Sequence, residues 1–204
     1  MKQKNKDMKQ LIQIQELFSV PVYKTKLQLN NDKMAKYCVE LSKQDKGRVI
    51  SNSGGWQSNA LEGSHLILND LFLNIEKHSN EFANFIKLSS PLHISHLWIN
   101  INGYKDFNWP HLHNQCLISG VYYIRTPKNC GSIFFDNPAY DTMQFDWNEK
   151  DLKEKNCYTS AKWWLPSEEG LLYIFPSWLR HSVTPNLNKK EKRISISFNV
   201  VNKG

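Results

Sequence analysis

The sequence has no apolar run approaching the ~20 residues that a membrane helix needs. Its lysine-rich start, MKQKNKDMKQ, leads into no apolar h-region or small-residue cleavage site. Neither a membrane span nor a secretion signal is therefore expected, and residues 1–15 read as a basic tail. Cysteine is scarce. Cys38, Cys116, Cys130 and Cys157 are widely spaced and form no CxxC pair. This argues against a zinc ribbon and a dense disulfide framework, and reduced thiols in the cytoplasm are the expectation. No internal repeat or low-complexity block occurs. The formal net charge of +7 gathers at Lys2, Lys4, Lys6 and Lys9 and around Lys189, Lys190, Lys192 and Arg193. Those runs contain no interleaved aromatics and no recognised nucleic-acid motif. Weak attraction to polyanions is expected, not sequence recognition.

What is present points to a folded catalyst-sized unit. A chain of 204 residues, 40% hydrophobic and 12% aromatic, is large enough for one sizeable core. A single domain over 1–204 is expected, with a strand and supporting helices in 16–90 and a β core in 91–204. LFSVPVYKTKL (17–27) alternates like an edge strand, since Pro21 disfavours a central one. NDKMAKYCVELSKQ (31–44) places Met34, Cys38 and Leu41 at helical spacing, with Asp32 as a plausible N-cap. SNSGGWQSN (51–59) reads as a turn-rich loop. Leu66 to Ile86 reads as an amphipathic helix, with Leu68, Leu71, Phe72, Ile75, Phe82 and Phe85 in its apolar stripe.

From about residue 92 the period changes from 3.6 to 2. In LHISHLWINING, Leu97, Ile99 and Ile101 share one face, and His96, Trp98, Asn100 and Asn102 the other. LISGVYYIRT (117–126), GSIFFD (131–136), GLLYIFP (170–176) and RISISFNVV (193–201) are further strand candidates. The polar stretch 138–168 reads as a long loop over the sheet. Helices first and strands later predict an α+β chain, mainly β, whose C-terminal half is a sandwich or barrel. In the last strand Arg193, Ser195, Ser197 and Asn199 share one face, and Ile194, Ile196, Phe198 and Val200 the other. The polar face is either solvated or lines a lumen that holds a polar ligand. Its place shortly after His181 favours the lumen.

WPHLHNQ (109–115) puts His111 and His113 two residues apart. In an extended segment both imidazoles point the same way and share one ion. Imidazole suits iron, copper, nickel and zinc alike, so ligand type does not choose the metal. His181 in FPSWLRHSV and then Arg193 follow downstream. Two close nitrogen ligands, a distant third and a cation are what a metal site with an anionic co-substrate needs. Trp109, Trp147, Trp163, Trp164 and Trp178 are candidates for the approach to the metal, although core or lid packing is expected for most.

These segments resemble the 2-oxoglutarate/Fe(II)-dependent dioxygenase superfamily, and more closely a family of 2OG-Fe(II) oxygenases found in bacteria and phages. The matching stretches are GGWQS (54–58), WININGYKDFNWPHLHN (98–114), SGVYYI (119–124), GLLYIFPSWLRHSVTPN (170–186) and RISISFN (193–199). The resemblance implies a double-stranded β-helix (jelly-roll) core with N-terminal helices packed on one sheet. It implies that His111, His113 and His181 hold Fe(II), and that Arg193 pairs with the distal carboxylate of 2-oxoglutarate. Ser195 and Tyr123 match positions that assist that carboxylate, with Asn100 and Asn199 weaker lumen candidates. The implied reaction is hydroxylation of an unidentified substrate with O2 as co-substrate and release of succinate and CO2.

One position departs from the pattern. Most of the superfamily carries Asp or Glu where this chain has His113. Asp136 and Asp106 are the alternatives for an oxygen ligand, against plain structural roles for both. Two other readings stay open: a cupin-like three-histidine oxygenase that does not use 2-oxoglutarate, and a catalytically silent jelly-roll that binds an anion or a partner.

Overall fold

The computed structural model describes residues 13–61, 66–88, 91–145, 147 and 149–202. Most of the basic tail read into residues 1–15 lies outside this range. Strand β1 (Tyr23–Lys26) is followed by helix α1 (Asn31–Leu41), the short strands β2 (Asn52–Ser53) and β3 (Trp56–Gln57), and helix α2 (Asn69–Phe85). The β core then runs through β4 (Leu92–Asn102), β5 (Phe107–His111), β6 (Ile118–Arg125) and β7 (Ser132–Asp136). After a short helix α3 (Tyr140–Met143) and a 3-10 turn (Glu149–Asp151) come β8 (Lys162–Pro166), β9 (Leu171–Pro176), β10 (His181–Val183) and β11 (Arg193–Asn202).

The strands form two antiparallel sheets. The larger has the order β1-β9-β6-β11-β4-β3, and the smaller β2-β5-β10-β7-β8. Alternation along the large sheet explains its two faces. Ile99, Ile101, Ile194, Ile196 and Phe198 point outward and join Leu71, Ile75 and Phe82 of α2 and Met34 and Cys38 of α1 in one core. The helices thus pack on one sheet, as expected for a double-stranded β-helix. On the inner face Val121, Tyr123, Tyr173 and Phe175 meet Ile133 and Phe135 of the small sheet in a second core. The β11 and β4 part of that inner face is polar instead. Arg193, Ser195, Ser197, Asn100 and Asn102 border a cavity between the sheets.

Several expectations shift. The N-cap of α1 is Asn30, whose side chain accepts from the Lys33 N–H at 3.1 Å. Asp32 instead pairs with Arg125 at 2.5 Å. Phe85 is exposed, and Ser79 takes a buried place on α2. The 138–168 stretch is not all loop, because β8 pairs in register with β7 from Phe135↔Trp163 to Ser132↔Pro166. Trp109, Trp147, Trp163, Trp164 and Trp178 are each 41–57% exposed, so none of them is buried in the core. No helix among the described residues is long and apolar enough to cross a membrane.

Candidate metal centre

His111 ends β5, and β10 begins with His181. The two strands pair antiparallel with these residues directly opposite. Their ring centroids lie 4.4 Å apart. His113 lies beyond the end of β5, so the extended segment that spacing predicts is shorter than expected. Its backbone N–H donates to Ser177 O at 3.0 Å, which fixes the loop under the strand end. The His113 ring stands 5.0 Å from His111 and 5.2 Å from His181. One ligand atom from each of the three lies within 4.8 Å of the others.

The protonation of these rings follows from their partners. His111 Nδ1 lies 2.7 Å from Trp109 O, and His181 Nδ1 lies 2.9 Å from Leu179 O. A carbonyl only accepts, so each Nδ1 carries the proton and each Nε2 keeps its lone pair for a metal. Burial disfavours the imidazolium: His113 is held down at about 4 and His181 at about 3, and His111 is lowered by the same cause. All three are neutral near pH 7, the state in which imidazole ligates. The donor set therefore fits a divalent transition metal. No carboxylate belongs to this group among the described residues.

Both alternative oxygen donors have other tasks. Asp136 follows inward-facing Phe135 and so points outward, where it forms ion pairs with Lys162 at 3.2 Å and Arg180 at 3.4 Å. Asp106 accepts from the Gly103 N–H at 2.6 Å and closes the turn after β4.

The cavity that the histidines border also holds the predicted anion site. Arg193 is 1% exposed. Its Nη1 donates to Cys130 O and, at 3.2 Å, to Thr184 O, while Nη2 has no partner. Gly131 makes this approach possible. Its φ is +88°, and a Cβ there would stand 2.9 Å from Arg193 Nη1 and 2.4 Å from Thr184 O. Tyr123 is also buried, and burial raises its pKa, so it keeps its proton, with Ser167 interacting with its hydroxyl. A buried guanidinium nitrogen left open on the cavity is costly unless a ligand supplies an acceptor. A carboxylate has the right charge and geometry. Ser195 and Asn100 line the same cavity, and Asn100 donates to Ser197 Oγ at 3.0 Å. These donors are of the kind that a carboxylate co-substrate needs.

The profile of a protein family described as "Putative 2OG-Fe(II) oxygenase" matches residues 96–199. This chain belongs to that family. The match runs from β4 to β11 and includes all three histidines and Arg193. The oxygenase fold is seen again among solved structures. A prolyl-4-hydroxylase from Pseudomonas putida is 13% identical, with 91% of this chain and 95% of that one covered and a TM-score of 0.61. SnoK, a non-heme alpha-ketoglutarate-dependent carbocyclase from nogalamycin biosynthesis, is 12% identical, with 90% and 80% covered and a TM-score of 0.63. HygX from Streptomyces hygroscopicus, solved with nickel and 2-oxoglutarate, is 10% identical, with 90% and 84% covered and a TM-score of 0.59. A search of curated proteins finds no match. The chain is thus a 2OG-Fe(II) oxygenase, with iron as the family's cofactor and 2-oxoglutarate and O2 as its co-substrates.

Asn102 and Ser197, on the polar strand faces that period-2 alternation predicts, line the cavity beside Asn100 and Ser195. Asn108 and Ser51 also border the cavity. They sit on and beside short, Pro- or Gly-flanked strands with no readable alternation.

Proposed function

We propose that this oxygenase hydroxylates an organic substrate through an iron centre held by His111, His113 and His181. The supporting observation is the shared cavity. Three neutral imidazoles border it, and so do Tyr123 and Arg193, whose Nη2 has no partner. One ring nitrogen from each histidine lies within 4.8 Å of the others, close enough to share one ion, with Trp109 O and Leu179 O fixing the tautomers of His111 and His181. Arg193 and Tyr123 hold the distal carboxylate of 2-oxoglutarate, and Ser195 and Asn100 complete the polar wall. When bound, Fe(II), 2-oxoglutarate and O2 supply the oxidising chemistry, with succinate and CO2 released. The protein orients the co-substrate, keeps the buried wall dry and leaves metal positions open. Three imidazoles leave the ion's charge intact, and dianionic 2-oxoglutarate would neutralise it. The free state of Cys38, Cys116, Cys130 and Cys157 supports a reducing, cytoplasmic setting.

The donor set without a carboxylate favours one second reading, a cupin-like oxygenase in which Arg193 binds a substrate carboxylate. Both readings meet in one experiment. The chain is loaded anaerobically with Fe(II) and 2-oxoglutarate, then exposed to O2. Succinate release, lost in His181→Ala, is the expected result. Stoichiometric iron binding without succinate, across a broad substrate panel, supports the cupin-like reading.

A further inference from the structure

A second opening reaches the histidines from outside. A groove of about 540 Å³ shares Ser51, Trp98, His111 and His113 with the inner cavity. Arg193 and Tyr123 line only the inner cavity, so the imidazoles stand at the neck between the two. The groove lies within the roughly 300–1,000 Å³ typical of small-molecule sites.

Its walls have a definite chemistry. No Asp or Glu among the described residues lines it. Arg48 contributes a positive charge, and among the described residues its side chain makes no ion pair or hydrogen bond. His96 adds a further nitrogen on the β4 side. Gln57, on β3, is 5% exposed, and its buried Oε1 has no hydrogen-bond partner. A buried unpartnered amide oxygen is costly unless an N–H or O–H from a ligand meets it. Two tryptophans from opposite sheets complete the groove. Trp109 of β5 is 57% exposed and is braced edge-on by Phe107 at 4.7 Å. Trp98 of β4 packs against His113 at 5.6 Å. Such rings accept the face of a planar apolar group.

We infer that this groove binds the oxygenase's primary substrate, a small organic anion whose planar apolar body rests on Trp109 and Trp98 and whose charge meets Arg48. The assignment rests on the metal-centre reading for the position of the reacting carbon, but its recognition chemistry stands on the groove alone. A carboxylate and a phosphate share that chemistry, and the test separates them.

Indole-3-acetate, its neutral analogue indole-3-acetamide, and phenyl phosphate serve as probes in ligand-observed NMR titrations of the full chain. At least one of the two anions is expected to bind tenfold or more tightly than the amide, and the tighter one identifies the charged group. Arg48→Ala should remove that advantage, and Trp109→Ala should weaken binding of both indoles. In the Mn(II)-loaded chain the bound anion's protons should broaden, marking its place beside the histidines. Equal affinity for amide and both anions, an anion preference indifferent to Arg48→Ala, or binding without broadening in a Mn(II)-loaded chain overturns the assignment. A chain that takes up no Mn(II) yet keeps Arg48-dependent anion binding refutes the metal centre and leaves the groove's chemistry standing.

Discussion

His181 shows how one residue couples stability to function. A free imidazole titrates near 6.5, and burial in the folded chain holds His181 at about 3. The unfolded chain therefore binds a proton that the folded chain refuses. Stability is complete above about 6.5 and falls as pH drops through the window down to about 3. His181 alone costs roughly 2 kcal/mol between about pH 7 and about pH 5. His113, held at about 4, and His111, lowered in the same direction, act with the same sign. Urea unfolding of the metal-free chain at these two pH values should show a lower midpoint at the acid one. An unchanged midpoint would mean that the three rings are already wet or protonated.

At the scale of elements, the turn between β6 and β7 shapes the proposed anion site. Gly131 gives the positive φ that brings Cys130 O and Thr184 O to the Arg193 guanidinium. Gly131→Ala forces a side chain into the left-handed region, at about 1–2 kcal/mol, and crowds Nη1. Lower thermal stability together with weaker 2-oxoglutarate binding is expected. A variant that loses stability but binds 2-oxoglutarate unchanged would separate the turn from the site. The long elements were legible because their periodicity is strong. Leu97, Ile99 and Ile101 against Trp98, Asn100 and Asn102 read the two faces of β4, and β11 repeats the pattern with Arg193 on its polar side. The short elements were not legible. β2 and β3 span two residues each, and β10 spans three, too few for alternation to register. β8 carries exposed Trp163 and Trp164 at the edge of its sheet, so burial leaves no mark on its sequence. Spacing aligns His113 with His111 only if the strand continues, and β5 ends at His111. The position of His113 comes instead from a backbone bond to Ser177, a residue distant in sequence.

For the whole molecule, two cores share the work of folding, and the polar end of the interior is given over to function. Ile99, Ile196 and Phe198 are fully buried between the large sheet and its helices. Arg193 is buried just as deeply on the other face of β11, where it contributes charge without an ion-pair partner among the described residues. Removing such a charge need not weaken the fold. Arg193→Met should therefore keep or raise the melting temperature while damaging co-substrate binding. The most direct test is anaerobic calorimetry of 2-oxoglutarate added to the Fe(II)-loaded chain and to its Arg193→Met variant. One 2-oxoglutarate per iron-loaded chain is predicted for the native sequence. In the variant, affinity should fall about 100-fold or more, with iron content unchanged. Equal affinity in the two proteins would contradict the assignment of Arg193 and, with it, the account of the shared cavity.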